Sequence, residues 1–131
     1  MSDSPFDAIA RRHGARLLVQ FGSTVSGRVH DASDVDVAVL FEGDPAYTRL
    51  GGLLADLEVA FSGRVVDLGM LNRADPLFLK KVLENARLLA GSPRDLSMLR
   101  LYAFRRYQDH RRFLRLEERH LDRFLAARAG R

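Results

Sequence analysis

Four prolines, each preceded by a serine or an aspartate, divide this sequence into segments. The pairs are Ser4-Pro5, Asp44-Pro45, Asp75-Pro76 and Ser92-Pro93. Serine and aspartate side chains accept hydrogen bonds from the free N–H groups at a helix N-terminus. Proline fits the first helical position because the N–H that it lacks would have no partner there. The pattern therefore predicts four helices, which start near residues 5, 45, 76 and 93.

Short β-like runs lie between these helix starts. The clearest is 35–41, in which every second residue is a large apolar one, so that these residues share one face of a strand. The first face carries Val35, Val37, Val39 and Phe41, and the second carries Asp34, Asp36 and Ala38. Further strands are predicted over 16–21, 64–68 and 86–89. This order predicts an α/β or α+β fold, with a small mixed sheet flanked by helices and a long C-terminal helix.

The 131 residues predict a single domain, with a core over about 1–91 and a final helix over about 93–128. The chain has no cysteine, which excludes a disulfide scaffold, a thiolate nucleophile and a thiolate-bound metal. The absence of cysteine also fits a cytoplasmic protein. No apolar run is long enough to span a membrane, and no secretory signal pattern is visible. We therefore expect no membrane association.

The predicted final helix is strongly basic. Residues 94–131 carry 11 basic and 5 acidic side chains, a net charge of +6. Residues 1–93 carry 10 basic and 12 acidic side chains, a net charge of −2. Such a helix binds an acidic protein surface or nucleic acid, or is simply solvated. Aromatic residues suitable for base stacking are sparse, which makes nucleic acid the least favoured partner. We expect most of the apolar stripe in its first half to join the core. The segment after about residue 110 is a candidate docking surface for a partner protein or a second copy.

One segment carries the residues for chemistry. Gly22 and Ser23 follow the first predicted strand. Ten residues separate Ser23 from Asp34, and Asp36 comes two positions after Asp34. Glycine allows a close approach of the backbone to a ligand, and free amides after it suit phosphate oxygens. Adjacent carboxylates suit Mg²⁺, and two such ions can clamp the attacking and leaving oxygens of a nucleotidyl transfer.

These motifs resemble the signature of the polymerase-β-type nucleotidyltransferase superfamily. Gly22-Ser23, ten residues and Asp34-x-Asp36 match it, and Gly27 and Ser33 fit its longer form. Asp67, within Val65–Leu68, matches the third carboxylate of that superfamily. The stretch 71–77 is similar to the minimal nucleotidyltransferases, in particular the MntA antitoxins of MntA–HepT (MNT–HEPN) modules. The resemblance covers about residues 14–90 well.

The resemblance implies an enzyme with ATP as substrate and two Mg²⁺ ions. Its acceptor is a tyrosine hydroxyl of a HEPN ribonuclease toxin, which the transferred AMP inactivates. Asp34, Asp36 and Asp67 are the implied catalytic residues and metal ligands, and Gly22, Ser23 and Arg28 are the implied nucleotide-binding residues. Two alternatives remain. One is an antitoxin that acts by binding alone, and the other is a nucleotidyltransferase with a small-molecule or RNA acceptor.

Overall fold

The computed structural model describes residues 4–22, 34–43 and 47–129. The helices are α1 (Pro5–His13), α2 (Leu50–Ala60), α3 (Pro76–Glu84) and α4 (Pro93–Ala129), and a 3₁₀ turn (Tyr47–Arg49) precedes α2. The strands are β1 (Ala15–Phe21), β2 (Val35–Phe41), β3 (Val66–Met70) and β4 (Arg87–Ala90). They form one sheet in the order β3-β2-β1-β4. β1 is antiparallel to β2 and β4, whereas β2 and β3 are parallel. The expectation of a mixed sheet with a long C-terminal helix is confirmed.

Three of the four predicted helix starts are confirmed. Ser4 caps α1 in a reciprocal arrangement with Asp7, because each side chain accepts a hydrogen bond from the backbone N–H of the other. Asp75 accepts from the N–H of Phe78, 2.9 Å away, at the start of α3. Ser92 caps α4 in the same manner through Asp95. These local hydrogen bonds explain why the Ser-Pro and Asp-Pro pairs are reliable indicators of helix starts in this chain.

Two predicted starts were wrong by two residues or more. The second α-helix begins at Leu50 rather than near 45, because a 3₁₀ turn comes first. The Asp44-Pro45 pair itself lies outside the described residues. β3 begins at Val66 rather than 64, because Arg64 still belongs to the preceding turn and donates its N–H to the Phe61 carbonyl at 3.2 Å.

The sheet separates two hydrophobic clusters. Val35, Val37, Val39 and Phe41 share one face of β2, as the alternation in 35–41 predicted, and this face packs against α1 and α2. The residues of that cluster include Ile9, Leu18, Val35, Val37, Val39, Phe41, Leu53 and Leu57. The opposite face packs against α3 and α4 through Val19, Phe21, Ala38, Leu71, Leu79, Val82, Leu83, Leu96 and Ala103. Asp36 alternates with the residues of the first cluster and therefore lies on the α3/α4 face.

Helix α4 leaves the core after its first turns. Its 37 residues extend over about 56 Å. In its first half Leu96 and Ala103 are buried, but Met98, Leu101, Tyr102 and Phe104 are exposed, so the expectation that most of this stripe joins the core was wrong. The stripe stays exposed because α4 packs mainly against α3, which covers one side of it. Every side chain from 111 to 127 is exposed. Among the described helices, none is both long and apolar enough to cross a membrane.

Candidate active site

The strand pairing brings three of the predicted site residues side by side. Asp36 is paired with Phe21, the last residue of β1, on one side and with Asp67 of β3 on the other. Gly22 follows Phe21 directly, and Asp34 precedes β2 and is exposed. Glycine and carboxylates from three neighbouring strands thus meet at one end of the sheet.

Gly22 lies directly against the Asp36 carboxylate. It has a φ of +79°, in the left-handed region that favours glycine. A Cβ atom at this position would overlap Oδ2 of Asp36 and lie 3.2 Å from its Cγ. A side chain at Gly22 is therefore incompatible with this position of the carboxylate.

Substituting Gly22 by Ala tests this contact. We expect Gly22→Ala to lower the free energy of unfolding by about 1–3 kcal/mol through backbone strain. We also expect about 100-fold lower nucleotidyl transfer, because the methyl group displaces Asp36. Gly63→Ala is the matched control, since Gly63 has a φ of +82° and no atom within 4 Å of the added Cβ. Equal activity of the two variants, in a nucleotide-transfer assay with thermal melts alongside, would contradict the account.

The half-buried Asp36 carboxylate is in an unfavourable electrostatic environment. Burial raises its pKa above the ordinary value, and the negative charges of Asp67 and Asp34 raise it further. The positive charge of Lys81, on α3, acts in the opposite direction. A cation bound between these carboxylates would therefore be stabilised by the site.

Comparison with known proteins identifies the fold that carries this arrangement. The model of the polymerase beta nucleotidyltransferase family matches residues 7–95. The chain belongs to this family. The expected enzyme class, nucleotidyltransferase, is thereby confirmed. No curated protein matches the sequence significantly.

Solved structures extend the comparison to most of this nucleotidyltransferase. A chain of a toxin–antitoxin complex with AMP-PNP has a TM-score of 0.71 and 23% identity, over 93% of this chain and 96% of that chain. A chain of the complex between the tri-AMPylated HEPN toxin of Shewanella oneidensis and the MNT antitoxin has a TM-score of 0.63 and 21% identity, over 91% of each chain. A minimal nucleotidyltransferase is 31% identical with a TM-score of 0.53, over 63% of this chain and 86% of that chain.

The carboxylates of this nucleotidyltransferase fit Mg²⁺ in their chemistry. Asp36 and Asp67 are neighbours in register and offer hard oxygen ligands. Within residues 4–22, 34–43 and 47–129, no three acidic or histidine side chains converge into a complete metal-binding group.

The remaining nucleotide-binding candidates are not described. Ser23 and Arg28, with Gly27 and Ser33 of the longer motif, lie outside the described residues. Their roles stay predictions.

Sequence reasoning missed one supporting contact of this nucleotidyltransferase site. The ring of Phe78 fills the space at Gly69, where an added Cβ would lie 2.8 Å from its Cζ. The same ring packs edge-on against Phe21, with 6.2 Å between ring centroids. Phe78 therefore joins the strands that carry Gly22 and Asp67. The spacing of apolar residues in α3 indicates a buried face, but only the tertiary structure shows which strands it meets.

Proposed function

We propose that this nucleotidyltransferase transfers AMP from ATP to a tyrosine hydroxyl of a HEPN ribonuclease toxin, in a Mg²⁺-dependent reaction, and is the antitoxin of that toxin. The observation that carries the proposal is the Asp36–Asp67 pair beside Gly22, in a member of the polymerase beta family. Support for the acceptor comes from the complex named for a tri-AMPylated HEPN toxin, in which one chain has the fold of this protein. The cytoplasm, which supplies ATP, Mg²⁺ and the toxin, is the proposed location.

The proposed reaction uses this chain to hold both substrates in line. Gly22, Ser23 and Arg28 would bind the triphosphate, and Asp34, Asp36 and Asp67 would bind Mg²⁺. Magnesium, when bound, neutralises charge on the phosphates and on the attacking and leaving oxygens. The acceptor oxygen forms a bond to the α-phosphorus, the bond from that phosphorus to the bridging oxygen of the β-phosphate breaks, and pyrophosphate leaves. Asp67, exposed at the strand edge, would orient the hydroxyl and accept its proton.

The distal part of α4 is the proposed docking surface for the toxin. The side chains from 111 to 127 are exposed and include Phe113, Leu116, Leu121 and Phe124. The likeness to the toxin–antitoxin complex covers 93% of this chain, more than residues 1–92 can supply, so it extends into α4. The excess of arginine on this helix favours an acidic partner surface, and would make the association rate sensitive to salt.

Intact mass spectrometry tests the proposal. A HEPN protein encoded beside this chain is incubated with it, ATP and Mg²⁺. We expect the mass of the HEPN protein to increase in steps of one AMP, and its ribonuclease activity to fall in parallel. Inhibition without a mass change would support the alternative of an antitoxin that acts by binding. Transfer of AMP to RNA or to a small molecule, with the HEPN protein unmodified, would support the other alternative.

A further inference from the structure

Helix α3 places a lysine at the carboxylate cluster. Phe78, in the first turn of α3, contacts Gly69 of β3 and Phe21 of β1, so this turn crosses the strand between them, β2. The β2 residues at this level are Ala38, which is paired with Gly69, and Asp36, which is paired with Phe21 and with Asp67.

Lys81 lies three residues after Phe78 and so projects from the same side of α3, about 4.5 Å further along the helix axis. Its position agrees with the electrostatics, since the positive charge of Lys81 favours the ionised form of Asp36. The Lys81 side chain is exposed, and its ammonium group is accessible to a ligand from solvent.

The neighbouring lysine has a different environment. Lys80 donates to Glu84 at 3.1 Å and lies 5.0 Å from the centre of the Tyr107 ring, where it helps to join α3 to α4. Lys80 and Lys81 are the only two lysines of the sequence. The adjacent lysines therefore differ in what they face: Lys80 faces α4 and Lys81 faces the carboxylates.

We propose that Lys81 is a catalytic residue that binds the β- and γ-phosphates of the nucleotide and stabilises the departing pyrophosphate. This proposal rests on the proposed function. A triphosphate that enters a site with three carboxylates meets strong repulsion, which a point charge at the edge of the site reduces. As the bond to the α-phosphorus breaks, negative charge grows on the leaving pyrophosphate, and a fixed ammonium beside it lowers the barrier.

A second role for Lys81 predicts the opposite effect. If Lys81 only offset the repulsion between Asp36 and Asp67, its removal would leave a more negative cluster. That cluster would bind Mg²⁺ more tightly, and the Mg²⁺-bound nucleotide equally well or better. The sign of the change in nucleotide affinity therefore separates a phosphate ligand from a counter-charge.

Calorimetric titration with AMP-PNP and with AMP, both at saturating Mg²⁺, measures this sign. We expect Lys81→Ala to weaken AMP-PNP binding about tenfold or more, because one charge-assisted contact is lost. AMP binding should be unchanged, since AMP lacks the β- and γ-phosphates. Lys81→Arg keeps the charge and should keep most of the affinity. Lys80→Ala, the matched control, should bind both ligands as the unsubstituted protein does.

Unchanged or tighter binding of AMP-PNP by Lys81→Ala would overturn the assignment, and so would an equal loss of AMP binding. If neither the unsubstituted protein nor Lys80→Ala binds AMP-PNP, the proposed function falls, and the assignment of Lys81 falls with it. Thermal melts of all variants establish that each is folded. Lys80→Ala should melt slightly lower, because it loses the contacts with Glu84 and Tyr107.

Discussion

Asp36→Asn should reduce AMP transfer about 1000-fold or more without lowering the melting temperature, because it removes the central charge of a site that binds metal and phosphate. The substitution keeps the size of the side chain. It also removes a negative charge that burial and Asp67 disfavour, so the ligand-free variant should melt at the same temperature or higher. Mg²⁺-ATP should raise the melting temperature of the unsubstituted protein by binding to its folded state, and should lose most of this effect in Asp36→Asn.

Asp56→Asn provides the matched control on the opposite face of the sheet. His13 binds the Asp56 carboxylate at 2.7 Å and Arg12 at 3.1 Å, and these contacts hold the pKa of Asp56 below its ordinary value. The ionised carboxylate therefore stabilises the fold at neutral pH, and Asp56→Asn should melt at a lower temperature but transfer AMP normally. Similar activities of Asp36→Asn and Asp56→Asn would contradict the assignment of the active site.

Truncation after Gln108 should weaken binding to the HEPN toxin about 100-fold or more, with little change in the melting temperature. The truncation removes residues 111–127, whose side chains are all exposed, so the core should be unaffected. Large apolar anchors at the centre of an interface contribute about 2 kcal/mol or more each, so the loss of two suffices for this effect. Titration of the two proteins by calorimetry measures the affinity.

A full-length variant separates the apolar stripe from the length of the helix. Replacing Phe113, Leu121 and Phe124 together by Ala should reproduce most of the loss in toxin affinity, because alanine preserves the helix. A truncated protein that unfolds would show that the segment belongs to the core. Unchanged affinity in both variants would show that the toxin docks elsewhere.

Local patterns were sufficient to predict much of the fold. Helix starts were predictable because the capping residues bind close neighbours in the sequence, as Ser4 binds Asp7 and Asp75 binds Phe78. The alternation in 35–41 likewise separates the β2 residues that belong to the two clusters on either side of the sheet. By contrast, Asp67 is 31 residues from Asp36, and nothing in its local sequence indicates that the two strands pair in register. Its predicted role came from the family resemblance, and the parallel pairing explains only why it lies beside Asp36.

Contacts between distant elements were not predictable from the sequence. Phe78 and Lys81 reach the site only because α3 packs across β2, which no spacing within α3 encodes. The exposure of Met98 and Phe104 also depends on tertiary structure, because a helix with apolar residues on several sides does not specify how many of them its neighbours cover.

The most direct measurement is the position of radiolabel after incubation of the HEPN toxin with this protein, Mg²⁺ and ATP labelled at either the α- or the γ-phosphate. We expect label from α-labelled ATP to remain on the denatured toxin and label from γ-labelled ATP to leave as pyrophosphate. Asp36→Asn should leave the toxin unlabelled in both cases. Stable label from γ-labelled ATP, or toxin that is inhibited but unlabelled in both cases, would contradict nucleotidyl transfer to the toxin.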